Sequence, residues 1–131
     1  MKALRMEHLI DPKVDLQMRT AQYIEDFDPI ADEVMCAIYR RPTRTKSGLI
    51  ITDQQQEEDI WQGKVGLILK MGPLAFSEDT DHHWGGKIPQ VGDWVLWRVG
   101  DTFTFLLGDV HCKSVKDGNI KAILKKPDIV F

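Results

Sequence analysis

Cysteine is scarce in this 131-residue chain, and no apolar run approaches the roughly 20 residues that span a bilayer. The two cysteines, Cys36 and Cys112, lie far apart, which excludes a disulfide framework and makes a reducing, cytoplasmic setting the expectation. Charge of one sign is equally lacking: 17 Lys and Arg stand against 20 Asp and Glu, a net −3. Binding to phosphates needs a concentrated basic surface, so neither nucleic acid nor membrane is an expected partner. The first eight residues interrupt their apolar side chains with charges, which is not a signal-peptide pattern. Internal repeats are absent. What is present is an ordinary globular balance, 43% hydrophobic and 28% charged, enough for the core of one domain.

The charge is unevenly placed. Residues 1–33 hold four basic side chains against eight acidic ones, whereas the remainder is nearly balanced. That shift near Pro29 divides the chain into an extension, 1–31, and a main domain, 32–131. Within the extension, Asp11 as N-cap, Pro12 at the first helical position and Asp15 in the first turn predict a short helix. Val14, Met18 and Ala21 recur at helical spacing and give it a narrow apolar stripe. So thin a stripe forms no core of its own. The helix either docks on the main domain or on another chain, or remains a solvated extension.

Beyond Pro29 the period changes from 3.6 to 2. Val34, Cys36 and Ile38 share one face of a strand over residues 33–39. Further strands are predicted over 61–72, 94–99, 102–107, 110–116 and 120–124, with Val91-Gly92-Asp93, Gly100-Asp101 and Asp117-Gly118-Asn119 as turns. Short strands, frequent glycine turns and no second helix predict an all-β fold, a small β-barrel.

Residues 40–59 stand apart. Arg40, Arg41, Arg44 and Lys46 precede Gly48-Leu49-Ile50-Ile51, and Asp53, Glu57, Glu58 and Asp59 follow it. This is too long for an ordinary hairpin connection and too polar to be buried. The triplet is either an arm offered to a partner or a short internal strand.

The order of these features resembles the GroES-type co-chaperonins. Asp32-Glu33-Val34-Met35-Cys36 is similar to the family's first strand, and Thr45-Lys46-Ser47-Gly48-Leu49-Ile50-Ile51-Thr52 to its mobile loop with the hydrophobic tripeptide. Gly63-Lys64-Val65 with Met71-Gly72-Pro73 resembles the next strand, and Val91-Gly92-Asp93-Trp94-Val95-Leu96 the turn into a core strand. Ile120-Lys121-Ala122-Ile123-Leu124 with Asp128-Ile129-Val130 resembles the terminal strand. The likeness covers about three-quarters of the chain. The extension 1–31 has no counterpart in a minimal bacterial GroES, and Gly72-Pro73-Leu74-Ala75-Phe76 and Trp94-Val95-Leu96-Trp97 are closer to divergent GroES-like proteins of bacteriophages.

The resemblance implies a GroES-like β-barrel with a mobile loop over 40–60 and a roof-type loop over 74–90. It implies a non-enzymatic co-chaperonin without cofactors, a homo-oligomeric ring of seven that caps a GroEL-type chaperonin. Gly48, Leu49, Ile50 and Ile51 would bind the chaperonin. Val34 and Cys36 on the first strand, with Ile120, Ala122, Leu124 and Ile129 near the chain's end, would form the subunit interface. The chain lacks a Walker-type phosphate loop, so any nucleotide belongs to the partner. The alternative is a virion structural protein, a capsid decoration or cement protein seated on the major capsid protein, for which the extension and the enlarged loop 77–89 speak. A nucleic-acid binder of OB type conflicts with the acidic balance.

Two further clusters hold residue types capable of chemistry. His82-His83 with Asp79 and Asp81 has suitable ligand types, but adjacent residues point apart and no Cys or His at ligand spacing lies nearby, so no metal is expected. His111 and Cys112 are neighbours on a strand and face opposite sides, which excludes a dyad.

Overall fold

The computed structural model describes residues 10–40, 63–78, 83–100 and 102–130. Helix α1 (Pro12–Thr20) begins as its cap residues dictate, with the Asp11 carboxylate accepting the Lys13 N–H at 2.8 Å and Arg19 pairing with Asp15 one turn back at 3.2 Å. Its buried side is not the predicted stripe. Val14, Met18 and Ala21 face outward, while Leu16 packs on the core and Thr20 is buried. Thr20 tolerates burial because its hydroxyl donates to the Leu16 carbonyl at 2.7 Å, leaving no polar group unsatisfied.

Six strands follow: β1 (Glu33–Ile38), β2 (Val65–Met71), β3 (Trp94–Trp97), β4 (Thr102–Leu107), β5 (Val110–Lys116) and β6 (Ile120–Leu124). They form one antiparallel sheet in the order β4-β5-β1-β2-β3-β6. The all-β expectation holds at that level, with one short helix added.

Each face of the central strands carries its own apolar layer. On one lie Ala37, Leu67, Leu69, Trp94 and Cys112, covered by Leu16 and Ile24 of the extension. On the other lie Val34, Cys36, Ile68, Val95, Trp97 and Val115, covered by Phe76 and Trp84. Burial on both faces explains why β2 reads as a near-continuous hydrophobic run instead of an alternation.

From Ile10 onward the extension is therefore part of the packed body, and Lys70 straps it down. Lys70 on β2 donates to the Ile24 and Phe27 carbonyls at 2.8 Å each, pairs with Asp28 at 3.0 Å and lies over the Phe27 ring. Two glycines permit close approaches. A Cβ on Gly66 would lie 2.6 Å from the Ala37 carbonyl oxygen and collide with the Trp97 indole. Gly108, at φ +64° in the β4–β5 turn, lies under the Tyr23 ring.

The segment 74–90 is anchored at both ends of its described part. Phe76 adopts φ +57° and donates its N–H to the buried Asp117 carboxylate at 2.9 Å, and Trp84 packs edge-on against its ring at 5.0 Å. Asp93 closes the turn into β3 by accepting from the Gln90 N–H at 2.9 Å.

Candidate functional site

The long connection between β1 and β2 leaves and re-enters the sheet at one place. Ile38 pairs with Gly66, and the Tyr39 N–H donates to the Val65 carbonyl at 2.9 Å, so the described chain on either side of residues 41–62 sits on adjacent central strands. Gly63, the first described residue after the connection, is held hard. Its carbonyl accepts from the Trp97 Nε1–H at 2.9 Å and from the Lys113 ammonium at 3.2 Å, while the Trp97 N–H donates to the Lys64 carbonyl at 2.9 Å. Tyr39 is fixed from the other side by an edge-to-face contact with Trp94 at 5.6 Å.

Electrostatically this root is unusual for so short a strand. Lys113 is almost wholly buried on β5, and burial pushes its pKa down, because a desolvated ammonium loses hydration that its bond to the Gly63 carbonyl replaces only in part. Neighbouring His111 carries a buried Nδ1 without a hydrogen-bond partner. Burial, and secondly the Arg40 charge, push its pKa below the ordinary 6.5.

That shift has a sign. Above pH 7 the imidazole is neutral in both the folded and unfolded states and contributes nothing. As pH falls through 6.5 the unfolded chain takes up a proton that the fold resists, so stability declines toward acid. His111→Gln is expected to flatten the fall of Tm between pH 7 and pH 5 relative to the wild type. An unchanged slope would remove the imidazole from the acid response.

Neither thiol offers a nucleophile. Burial, reinforced by Cys112, pushes Cys36 far up, and burial lifts Cys112 to about 12, so both stay protonated at neutral pH. Among the described residues no group of three His, Cys, Asp or Glu side chains converges on a metal position. Asp79, Asp81 and His82 lie outside those residues.

The expected site residues fall into three groups. Gly48, Leu49, Ile50 and Ile51 lie outside the described residues. Val34 and Cys36, expected at a subunit interface, are fully buried within the chain's own core, and β1 is hydrogen-bonded to β2 on one side and β5 on the other. A strand paired on both sides has no edge to offer, so the first-strand half of that interface is corrected. Ile120, Ala122 and Leu124 lie on β6, which ends the sheet, and Ile129 is 56% exposed just beyond it.

The clamp of Trp97 and Lys113 on Gly63 was not read from the sequence. A strand lysine between Cys112 and Ser114 carries no local sign of burial. The exposed Phe103 and Leu106 of β4 were likewise visible as apolar residues, but not as an edge.

No protein-family model matches the chain, and no curated protein matches it. The likeness to GroES-type proteins therefore rests on the order and spacing of the motifs quoted above. No helix among the described residues is long and apolar enough to cross a membrane.

Proposed function

We propose that this protein is a GroES-type co-chaperonin, a ring-forming lid that caps a GroEL-type chaperonin and assists protein folding without catalysing a reaction itself. The observation that carries the reading is the root of the β1–β2 connection. The described chain on either side of residues 41–62 lies on paired neighbouring strands, and Gly63 is fastened by Trp97 and Lys113. In this reading such a root is the base for the connection that carries Leu49-Ile50-Ile51, and the six-stranded sheet is the wall of the GroES-like barrel. A tripeptide between basic and acidic flanks suits docking in an apolar groove, where large aliphatic side chains contribute about 1.5–3 kcal/mol each.

The test is direct. The purified protein is mixed with a bacterial GroEL-type chaperonin and ATP, then inspected by electron microscopy and size exclusion. Capped particles and co-migration are the expected result, and their absence at saturating protein overturns the proposal. The virion reading gains from such a failure if purified phage particles contain the chain in stoichiometric amounts. At present it has less to stand on, because residues 10–31, its supposed anchor, are engaged with their own sheet.

A further inference from the structure

The described part of segment 74–90 and strand β6 border a cavity of about 440 Å³. Small-molecule sites usually measure about 300–1,000 Å³ and combine apolar walls with a few placed polar groups. This cavity has both.

Two local backbone devices place lysines on its wall. Trp84-Gly85-Gly86-Lys87 is a tight turn, closed by the Lys87 N–H donating to the Trp84 carbonyl at 3.2 Å, with Gly85 at φ +63° and Gly86 at φ +77°. Positive φ at both central positions is type I′ geometry, which glycine adopts without strain. The turn therefore holds Trp84 and Lys87 at its two ends, and both line the cavity. On β6 the second device is a slip in the pairing with β3. Leu96 faces Ala122 and Trp97 faces Ile120, so Lys121 is an extra residue with no opposite number. Such a bulge breaks the in-out alternation and re-aims a side chain. Ile120 and Ile123 consequently stand opposite Trp97 and Val95, in the layer that Phe76 and Trp84 cover, and Lys121 joins them on the cavity wall.

The charge of the site is one-sided. Phe76 and Trp84 form its aromatic side, fixed by the Phe76 N–H on the Asp117 carboxylate at 2.9 Å and the Trp84 Nε1–H on the Ser77 carbonyl at 3.2 Å. Lys87 and Lys121 supply two ammonium groups, and His83 adds an imidazole. Among the described residues no carboxylate lines the cavity or pairs with either lysine. A carboxylate or phosphate would receive charge-assisted hydrogen bonds there, while a flat ring would cover the aromatic side. A cationic ligand would meet two like charges.

We propose that this cavity binds a small aromatic anion, a flat ring carrying a carboxylate or a phosphate. The site goes beyond the lid reading and stands or falls separately from it.

NMR titration of the ¹⁵N-labelled protein tests it, with 1-naphthoate and 1-naphthyl phosphate as probes beside neutral 1-naphthol and inorganic phosphate. The Trp84 indole N–H is assigned by its loss in Trp84→Phe. Saturable shifts at that N–H and at the amides of residues 85–87 and 120–123 are expected from at least one aromatic anion, and the tighter of the two identifies the headgroup. 1-Naphthol and inorganic phosphate should each bind at least about tenfold more weakly, because each offers only half of the contacts. Lys87→Gln combined with Lys121→Gln should weaken the better probe about tenfold without moving Tm, whereas arginine at both positions keeps the charge and most of the affinity. The proposal is overturned by an absence of saturable shifts from both anions, by shifts confined to the groove at Phe103 and Phe105, or by either half-ligand binding as tightly as the whole. Unchanged affinity in a folded glutamine pair overturns it too. If that pair does not fold, the ranking of the four probes on the wild type decides.

Discussion

Ile50→Asp is expected to abolish capping of a GroEL-type chaperonin and to leave the proposed ring intact. The substitution removes one of three aliphatic anchors, about 1.5–3 kcal/mol of burial, and adds a carboxylate that must lose its water to enter an apolar groove. At 1.4 kcal/mol per tenfold, a single arm weakens by about tenfold to a hundredfold from the lost burial alone. In the proposed mechanism one arm binds weakly, because ordering a backbone costs about 1–2 kcal/mol per residue. Tight capping therefore depends on linking the arms, each raising the effective concentration of the next, and a loss repeated in every subunit multiplies through the ring. Capping is read by electron microscopy and co-migration, ring integrity by native mass spectrometry. Capping equal to wild type would remove the tripeptide from the mechanism.

Trp97→Ala is expected to cost about 3–5 kcal/mol of folding stability, the range for emptying a buried aromatic site. Trp97 is among the largest fully buried side chains. It fills the space that Gly66 leaves open and belongs to the layer formed by Cys36, Val95 and Val115. Its indole also fastens Gly63, so the loss reaches the root of the connection as well as the core. Against a usual total of about 5–15 kcal/mol, that is a large fraction. Trp97→Phe keeps most of the ring and gives up the hydrogen bond, and it should cost about 1–3 kcal/mol. Urea unfolding of the three proteins measures both. A loss below about 1 kcal/mol for the alanine variant would mean that neighbouring side chains refill the site.

These two variants separate the protein's tasks. The first acts on a residue outside the described part of the sheet, the one that the proposed function assigns to the chaperonin. The second acts on the platform, so it lowers stability and loosens the base from which the tripeptide is offered. Ile50→Asp at wild-type stability, beside Trp97→Ala at reduced stability, is the pattern that the proposed division between arm and platform requires.

Much of the architecture is local and was readable in the chain. The Asp11-Pro12 start of α1, the turn at Val91-Gly92-Asp93 and the six strands follow from capping groups, glycine conformations and period-2 patterning or, in β2, a short apolar run, each set by a few neighbouring residues. The helix's inward face was misread because hydrophobicity alone pointed to Val14 and Met18. Thr20 turned inward instead once its hydroxyl bonded to its own backbone, a possibility that composition does not register.

The tripeptide between its opposed charges, the predicted turns and the alternating apolar residues were determined by the amino-acid order itself, because each depends on atoms a few bonds apart. Which strand lies in the middle, which two lie at the ends, and that a lysine would be buried beneath Gly63 were decided by tertiary packing alone. β1 became an inner strand only when β5, more than seventy residues along the chain, closed against it. Strand order is a balance among every possible long-range pairing, and no local stretch of sequence carries that balance.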